Sequence, residues 1–198
     1  MSFKTKGHTV EETNFVSNYL SSGIHEAKIQ KIEFFEASSG TPGMKITHEG
    51  RPMEDLGGAG QVAETTWWLS DNAWTYTKDR LVIMADKLGV RTELDAIEGE
   101  EAAAYCSALD GIFKGKVARW KFAGEEIAGK EGKQNWFKAG LSGYGFVESL
   151  DTSPSKLKFD ETNKYDMKRL PVADSETVSS NGTTATAAVS SNSDDPWS

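Results

Sequence analysis

Gly23-Ile24-His25-Glu26-Ala27-Lys28-Ile29-Gln30-Lys31-Ile32-Glu33-Phe34-Phe35 is the stretch on whose reading the fold turns. Its residues are β-prone, but Ala27 and Ile29 fall on one parity while Ile32 and Phe34 fall on the other. Side chains of a strand alternate between two faces, so both pairs reach one core only if an extra residue stands between them. The slip predicts a long, bent strand over 24–35 with a bulge at Gln30 or Lys31. Turn-forming residues, Ser38-Ser39-Gly40-Thr41-Pro42-Gly43, then lead to a short strand over 44–48, where Met44, Ile46 and His48 alternate with Lys45 and Thr47.

Outward from this pair, a Gly-rich loop over 51–60 precedes a third strand over 62–69. Ala63, Thr65, Trp67 and Leu69 share one face of it, and Val62, Glu64, Thr66 and Trp68 the other. The period then changes. Leu81, Met84, Ala85 and Leu88 recur at three and four, with Gly89 placed as a C-cap, which predicts a helix over 77–88. Thr92-Glu93-Leu94-Asp95 has the form of a capping box, and Ala102, Tyr105, Cys106 and Leu109 make a second apolar stripe before Gly111. Residues 112–123 and 135–147 are again β-like and flank a charged, Gly-rich segment, as in a hairpin with a long tip. Upstream, residues 1–20 read as an arm docking through Phe15 and Tyr19. Downstream, 157–159 and 165–170 are short accessory pieces.

From Val172 onward the chain carries Asp174, Glu176, Asp194 and Asp195, no Lys or Arg, and almost no large apolar residue before Trp197. Such a stretch buries too little surface to offset its ordering entropy, so residues 172–198 are expected to be a disordered acidic tail on one domain formed by residues 1–171. Half of the formal net charge of -8 belongs to this tail. The basic island is 112–138, where Lys114, Lys116, Arg119, Lys121, Lys130, Lys133 and Lys138 face only Glu125, Glu126 and Glu131. The single cysteine, Cys106, fits a reducing compartment and a packing role. There is no apolar run of membrane-spanning length and no signal-peptide core near Met1, so a cytoplasmic protein without a membrane partner is expected.

Three strands, a helical connection and a two-stranded hairpin give the order β-β-β-α-β-β of a five-stranded OB-fold barrel, a mainly β fold with inserted helices. With the opening Gly23-Ile24-His25-Glu26-Ala27-Lys28-Ile29, the helical insert and the Asp194-Asp195-Pro196-Trp197 ending, the chain resembles tailed-phage single-stranded DNA-binding proteins over 23–147 and the tail. In the familiar tails the aromatic closes the chain, whereas Ser198 follows it here. The resemblance implies a non-enzymatic, sequence-non-specific binder of single-stranded DNA in phage replication, recombination or repair, working in the host cytoplasm. It also implies that Asp194, Asp195, Pro196 and Trp197 recruit replication or recombination proteins and compete with DNA.

Such binding needs cations along the phosphates and aromatic faces for unstacked bases. On the first hairpin arm Lys116, Arg119, Trp120 and Lys121 are candidates. Lys116 shares parity with Trp120 and Arg119 shares parity with Lys121, so either face could form the groove. On the second arm Trp136 and Lys138 look outward, opposite Phe137, Ala139 and Leu141. Trp68 is a further stacking candidate, Lys130 and Lys133 could clamp from the hairpin tip, and Lys45 and Arg51 could extend the track. Phe34 and Phe35 are adjacent, so one faces outward as a candidate base platform, and Phe34 is the first candidate. Trp67 is expected in the core and Trp74 in helix packing.

Catalytic readings find little. His8, His25 and His48 lie far apart, no Cys stands near them, and Gly57-Gly58-Ala59-Gly60 lacks the Lys-Ser/Thr of a phosphate loop. No enzyme activity, metal or cofactor is expected. The rival reading is a protein-interaction or virion module whose aromatics are core and whose tail only solubilises.

Overall fold

The computed structural model describes residues 17–98, 101–130 and 134–170. β1 (Gly23–Glu36) is one long strand whose register against β2 (Pro42–Pro52) shifts between Ile29 and Lys31. The bulge therefore sits at Gln30, where the parity slip puts it. β3 (Gly60–Trp68) extends the antiparallel meander. The bulge brings Ile29 and Ile32 to one face: the rows Ile29, His48, Ala63; Ile32, Ile46, Thr65; and Phe34, Met44, Trp67 all point into the core. The opposite rows, Glu33, Lys45, Thr66 and Phe35, Gly43, Trp68, form the outer face.

Three helices follow: α1 (Asp71–Leu88), α2 (Arg91–Asp95) and α3 (Ala102–Phe113). α1 begins six residues before the expected start at 77, because Ser70 is extended and Asp71 opens the first turn. Gly89, at φ 68°, caps its end by donating to the Ala85 carbonyl. Thr92 lies inside α2, whose N-cap is Val90, so the capping-box form is not used. α3 runs past Gly111 to the fully buried Phe113, which places Ile112 and Phe113 in a helix rather than in the next strand. α3 also completes β1: Asp110 Oδ1 accepts the Ile32 N–H at 2.7 Å, beyond the point where the β1–β4 ladder ends.

β4 (Val117–Ile127) pairs with β1 and with β5 (Trp136–Leu141), whose ladder ends well before residue 147. After a turn with Gly143 at φ 69°, the chain returns to β4 as β6 (Val147–Glu148), and later as β7 (Met167–Lys168). The order along the sheet is β3-β2-β1-β4-β5, with β6 and β7 added against β4. All of the strand pairings are antiparallel except β4 with β7. The free edges of β3 and β5 approach each other, and the Leu141 N–H donates to Thr65 Oγ1 at 2.9 Å.

At the start of β3 the edge is covered by residues 17–20, in parallel: Leu20 N–H donates to Val62 O and Val62 N–H to Asn18 O. Leu20 provides the anchor, being buried, whereas Tyr19 is 70% exposed. The expected docking through Tyr19 is corrected accordingly, and Phe15 lies outside the described residues. Trp67, Trp120, Phe122 and Phe146 fill the interior around His48, and Trp74 packs edge-on against Tyr105 between α1 and α3.

Candidate nucleic-acid interface

On β4 the alternation is unambiguous once burial is known. Ala118, Trp120 and Phe122 point inward and are fully buried, while Arg119 and Lys121 point outward. Trp120 cannot offer a face to a base: its Nε1–H donates to the Ala27 carbonyl at 2.8 Å, and His48 and Phe146 lie against its ring. That expectation is overturned.

The outward cations are engaged too. Arg119 Nη1 lies 2.6 Å from Glu148 of β6, and Lys121 Nζ lies 2.7 Å from Asp166, both carboxylates being buried. Burial works against an ionised Glu148. Hydrogen bonds from Ser155, Arg119 and the Lys156 N–H, with the Arg119 charge, nonetheless hold its carboxyl down to about 2. Arg119 and Lys121 thus fasten the chain after β5 onto the sheet, and are not bare phosphate contacts as expected from sequence. A buried charge left without its partner costs about 3–5 kcal/mol, which makes these pairs hard to open.

What these pairs hold in place is a wall. Asp166 also accepts the Asp160 N–H, Asp160 accepts from Thr162, and Asn163 Oδ1 accepts the Tyr165 N–H. This braced loop presents Tyr165, 72% exposed, with Lys164 Nζ 5.2 Å from the centre of its ring. Across from it stands Trp68. A groove of about 630 Å³ runs between them along the β3–β5 seam, lined by Phe35, Trp68, Lys138, Lys164, Tyr165 and Lys168 among others.

The opposite wall depends on a glycine. In the outer row Phe35, Gly43, Trp68, a Cβ on Gly43 would lie 2.6 Å from Phe35 Cζ and 3.2 Å from Trp68 Cε3. Lacking one, Gly43 lets the Phe35 ring lie across β2 until it meets Trp68 at 5.6 Å between centroids, tilted by 60°. Phe34, the expected platform, turns inward against the core, so Phe35 takes its place.

A second cleft of about 600 Å³ adjoins the groove, sharing Glu64, Lys138 and Ala139 with it, and takes in Tyr19, Trp136 and Phe137. Trp136 and Lys138 are exposed, as read from sequence. Phe137 is on the inward parity but extends past the core, remains 39% exposed and lies under Arg169 at 5.6 Å.

The other expected cations scatter. Lys116 precedes β4 at the end remote from the groove, which takes Ala123, Gly124 and Glu125. Arg51 pairs with Glu26 in a separate cleft beside His25. Lys45 lies on the outer face, 3.7 Å from Glu64. Lys130 is exposed in the β4–β5 loop; Lys133 and the tail residues Asp194, Asp195, Pro196 and Trp197 lie outside the described residues.

Sequence reasoning held Phe35 only as the alternative to Phe34, and missed Gly43, Lys164, Tyr165 and Lys168. Nucleophilic chemistry gains no support at Cys106, whose burial raises its thiol to about 11. Among the described residues no group of three or more His, Cys, Asp or Glu side chains is placed to hold a metal, and no helix is long and apolar enough to cross a membrane. No family model and no curated protein matches the chain.

Proposed function

We propose that this chain is a sequence-non-specific single-stranded DNA-binding protein with an OB-fold body, acting in phage-type replication, recombination or repair. The single observation that carries the reading is the Phe35–Trp68 pair. Two aromatic rings lie outward over a glycine, open onto a groove edged by Lys138, Lys164 and Lys168, and face Tyr165 on the other side. Rings and lysines in one channel are what an unstacked strand requires. The strand order supports the fold assignment, since joining β3 to β5 would close a five-stranded ring with helices between its third and fourth strands. OB-folds also bind oligonucleotides on the face of their second and third strands, which is the face carrying Gly43 and Trp68.

Oligo-dT titration followed by tryptophan fluorescence tests this. Trp68→Ala is expected to weaken binding by about 1–3 kcal/mol, the usual worth of one stacked base. Trp136→Ala and Lys138→Ala should weaken it less, and none of the three should unfold the body. Duplex binding as tight as oligo-dT binding, or a Trp68→Ala protein that binds like wild type, would refute the assignment.

In the same reading residues 172–198 recruit partner proteins through Asp194-Asp195-Pro196-Trp197 and compete with the strand. The described chain ends at Leu170, whose N–H is held by Glu126 where Arg169 covers Phe137, at the cleft adjoining the groove. Acting as the tether that their composition predicts, residues 172–198 would hold their acids at an effective concentration on the order of millimolar. Truncation after Pro171 should therefore strengthen oligo-dT binding severalfold at low salt and less at high salt, where the competition is screened. Equal affinities of full-length and truncated protein at both salts would remove the competition.

A further inference from the structure

Two carboxylates that line the groove are paired with lysines, of which Lys168 lines it too and Lys45 lies outside its lining, on the outer face of β2. Lys45 Nζ is 3.7 Å from Glu64, and Lys168 Nζ is 2.7 Å from Glu125. Glu64 lines both the groove and the adjoining cleft, and Glu125 is the direct cross-strand partner of Lys138. Both glutamates remain about half exposed, so they are within reach of an incoming anion and are not fixed inside the core.

This differs in kind from the Arg119–Glu148 and Lys121–Asp166 pairs, whose carboxylates are buried and which tie chain segments together. Lys168–Glu125 also bridges β7 to β4, but both of its side chains are half exposed or more, and Lys45–Glu64 joins neighbouring strands with Glu64 equally open. Their position puts negative charge where phosphates would have to lie.

We infer that Glu64 and Glu125 act as internal competitors for phosphate, and so decide which polyanions the groove retains. The inference rests on the proposed binding of single strands at this groove. A ligand that offers phosphates alone exchanges one carboxylate partner for another and gains little. A strand that also lays bases on Phe35 and Trp68 gains the stacking in addition, and is held. The glutamates weaken phosphate binding of every polyanion by a similar factor and leave the ratio between ligands to the stacking, so they lower purely electrostatic binding below retention while a stacked strand stays above it.

Exposed ion pairs contribute about 0.2–1 kcal/mol, so releasing the lysine from either glutamate should tighten polyanion binding about 1.4- to 5-fold. The test compares wild type, Glu64→Gln, Glu125→Gln and Asp79→Asn, an exposed acid on α1 away from the groove, in titrations with oligo-dT and with inorganic polyphosphate at two salt concentrations. Both Gln variants should bind both probes more tightly at low salt, with the gain shrinking at high salt and Asp79→Asn unchanged. Unaltered or weaker binding by Glu64→Gln and Glu125→Gln, with wild type still binding oligo-dT, would overturn the inference alone. The same gain in Asp79→Asn would overturn it as well, by showing an effect of net charge. A wild-type protein that does not bind oligo-dT would instead remove the function on which the inference stands.

Discussion

Replacing Trp120 with alanine is expected to destabilise the protein by about 3–5 kcal/mol, the cost of truncating a large buried aromatic. The ring is fully enclosed, lies 4.5 Å from His48 and 6.5 Å from Phe146 between centroids, and loses its hydrogen bond to Ala27 when truncated. Against a typical total of about 5–15 kcal/mol, that is a third or more of the stability of many domains. Trp68→Ala, 40% exposed on the outer face, should leave the urea midpoint nearly unchanged and affect oligo-dT binding instead. Paired melts and titrations of the two variants check this. A Trp120→Ala protein as stable as wild type but defective in binding would reverse the assignment of inner and outer faces on β4.

Mild acid should destabilise the native state through His48. Its ring is fully buried at the centre of the core, with no hydrogen-bond partner at either nitrogen among the described residues, edge-on to Trp120 and Phe122. Burial lowers its pKa from 6.5 to about 3. Between those values the unfolded chain takes up a proton that the folded chain refuses, so unfolding is favoured as pH falls. The slope approaches about 1.4 kcal/mol per pH unit below 6.5 and vanishes below about 3. Glu148 acts in a lower window, since its stabilisation is complete above its ordinary value of 4.5 and is lost on the way down to about 2. Urea unfolding of wild type and His48→Leu at pH 7 and at pH 5 separates the two. The wild type should lose clearly more stability than the variant over that interval; equal losses would mean that His48 is not the group responsible.

The bulge at Gln30 was legible because it leaves a local signature, a change of parity between Ile29 and Ile32 that no straight strand tolerates. The outward stance of Trp136 and Lys138 was legible for the same reason. On β4 the signal was present but divided: Trp120 and Phe122 share the inward parity with Ala118, yet Lys116 lies on that parity too, just before the strand begins. The Phe35–Gly43–Trp68 row was not legible, because it requires the registers of two ladders at once, and a one-residue error in either separates the rings. Nor were the partners of Arg119 and Lys121. Glu148 and Asp166 stand 29 and 45 residues further on, in segments with weak periodicity. Excess charge in a sequence window therefore overstated the charge available on the surface.

The bond from Trp120 to Ala27 spans 93 residues, and with it the whole helical connection lies inside one closing loop. β1, β2 and β3 meet through short turns, so their contacts can form early; β4 has to find β1 across a chain nearly a hundred residues long. Contacts of such separation slow folding, so the encounter of β4 with β1 is the step expected to set the rate. The entropy of closure grows only logarithmically, about 0.6 kcal/mol for each doubling of the loop. Helices α1 to α3 could thus lengthen or shorten over evolutionary time at little cost to the speed of assembly, while a substitution that weakens the β1–β4 ladder would be felt in it directly.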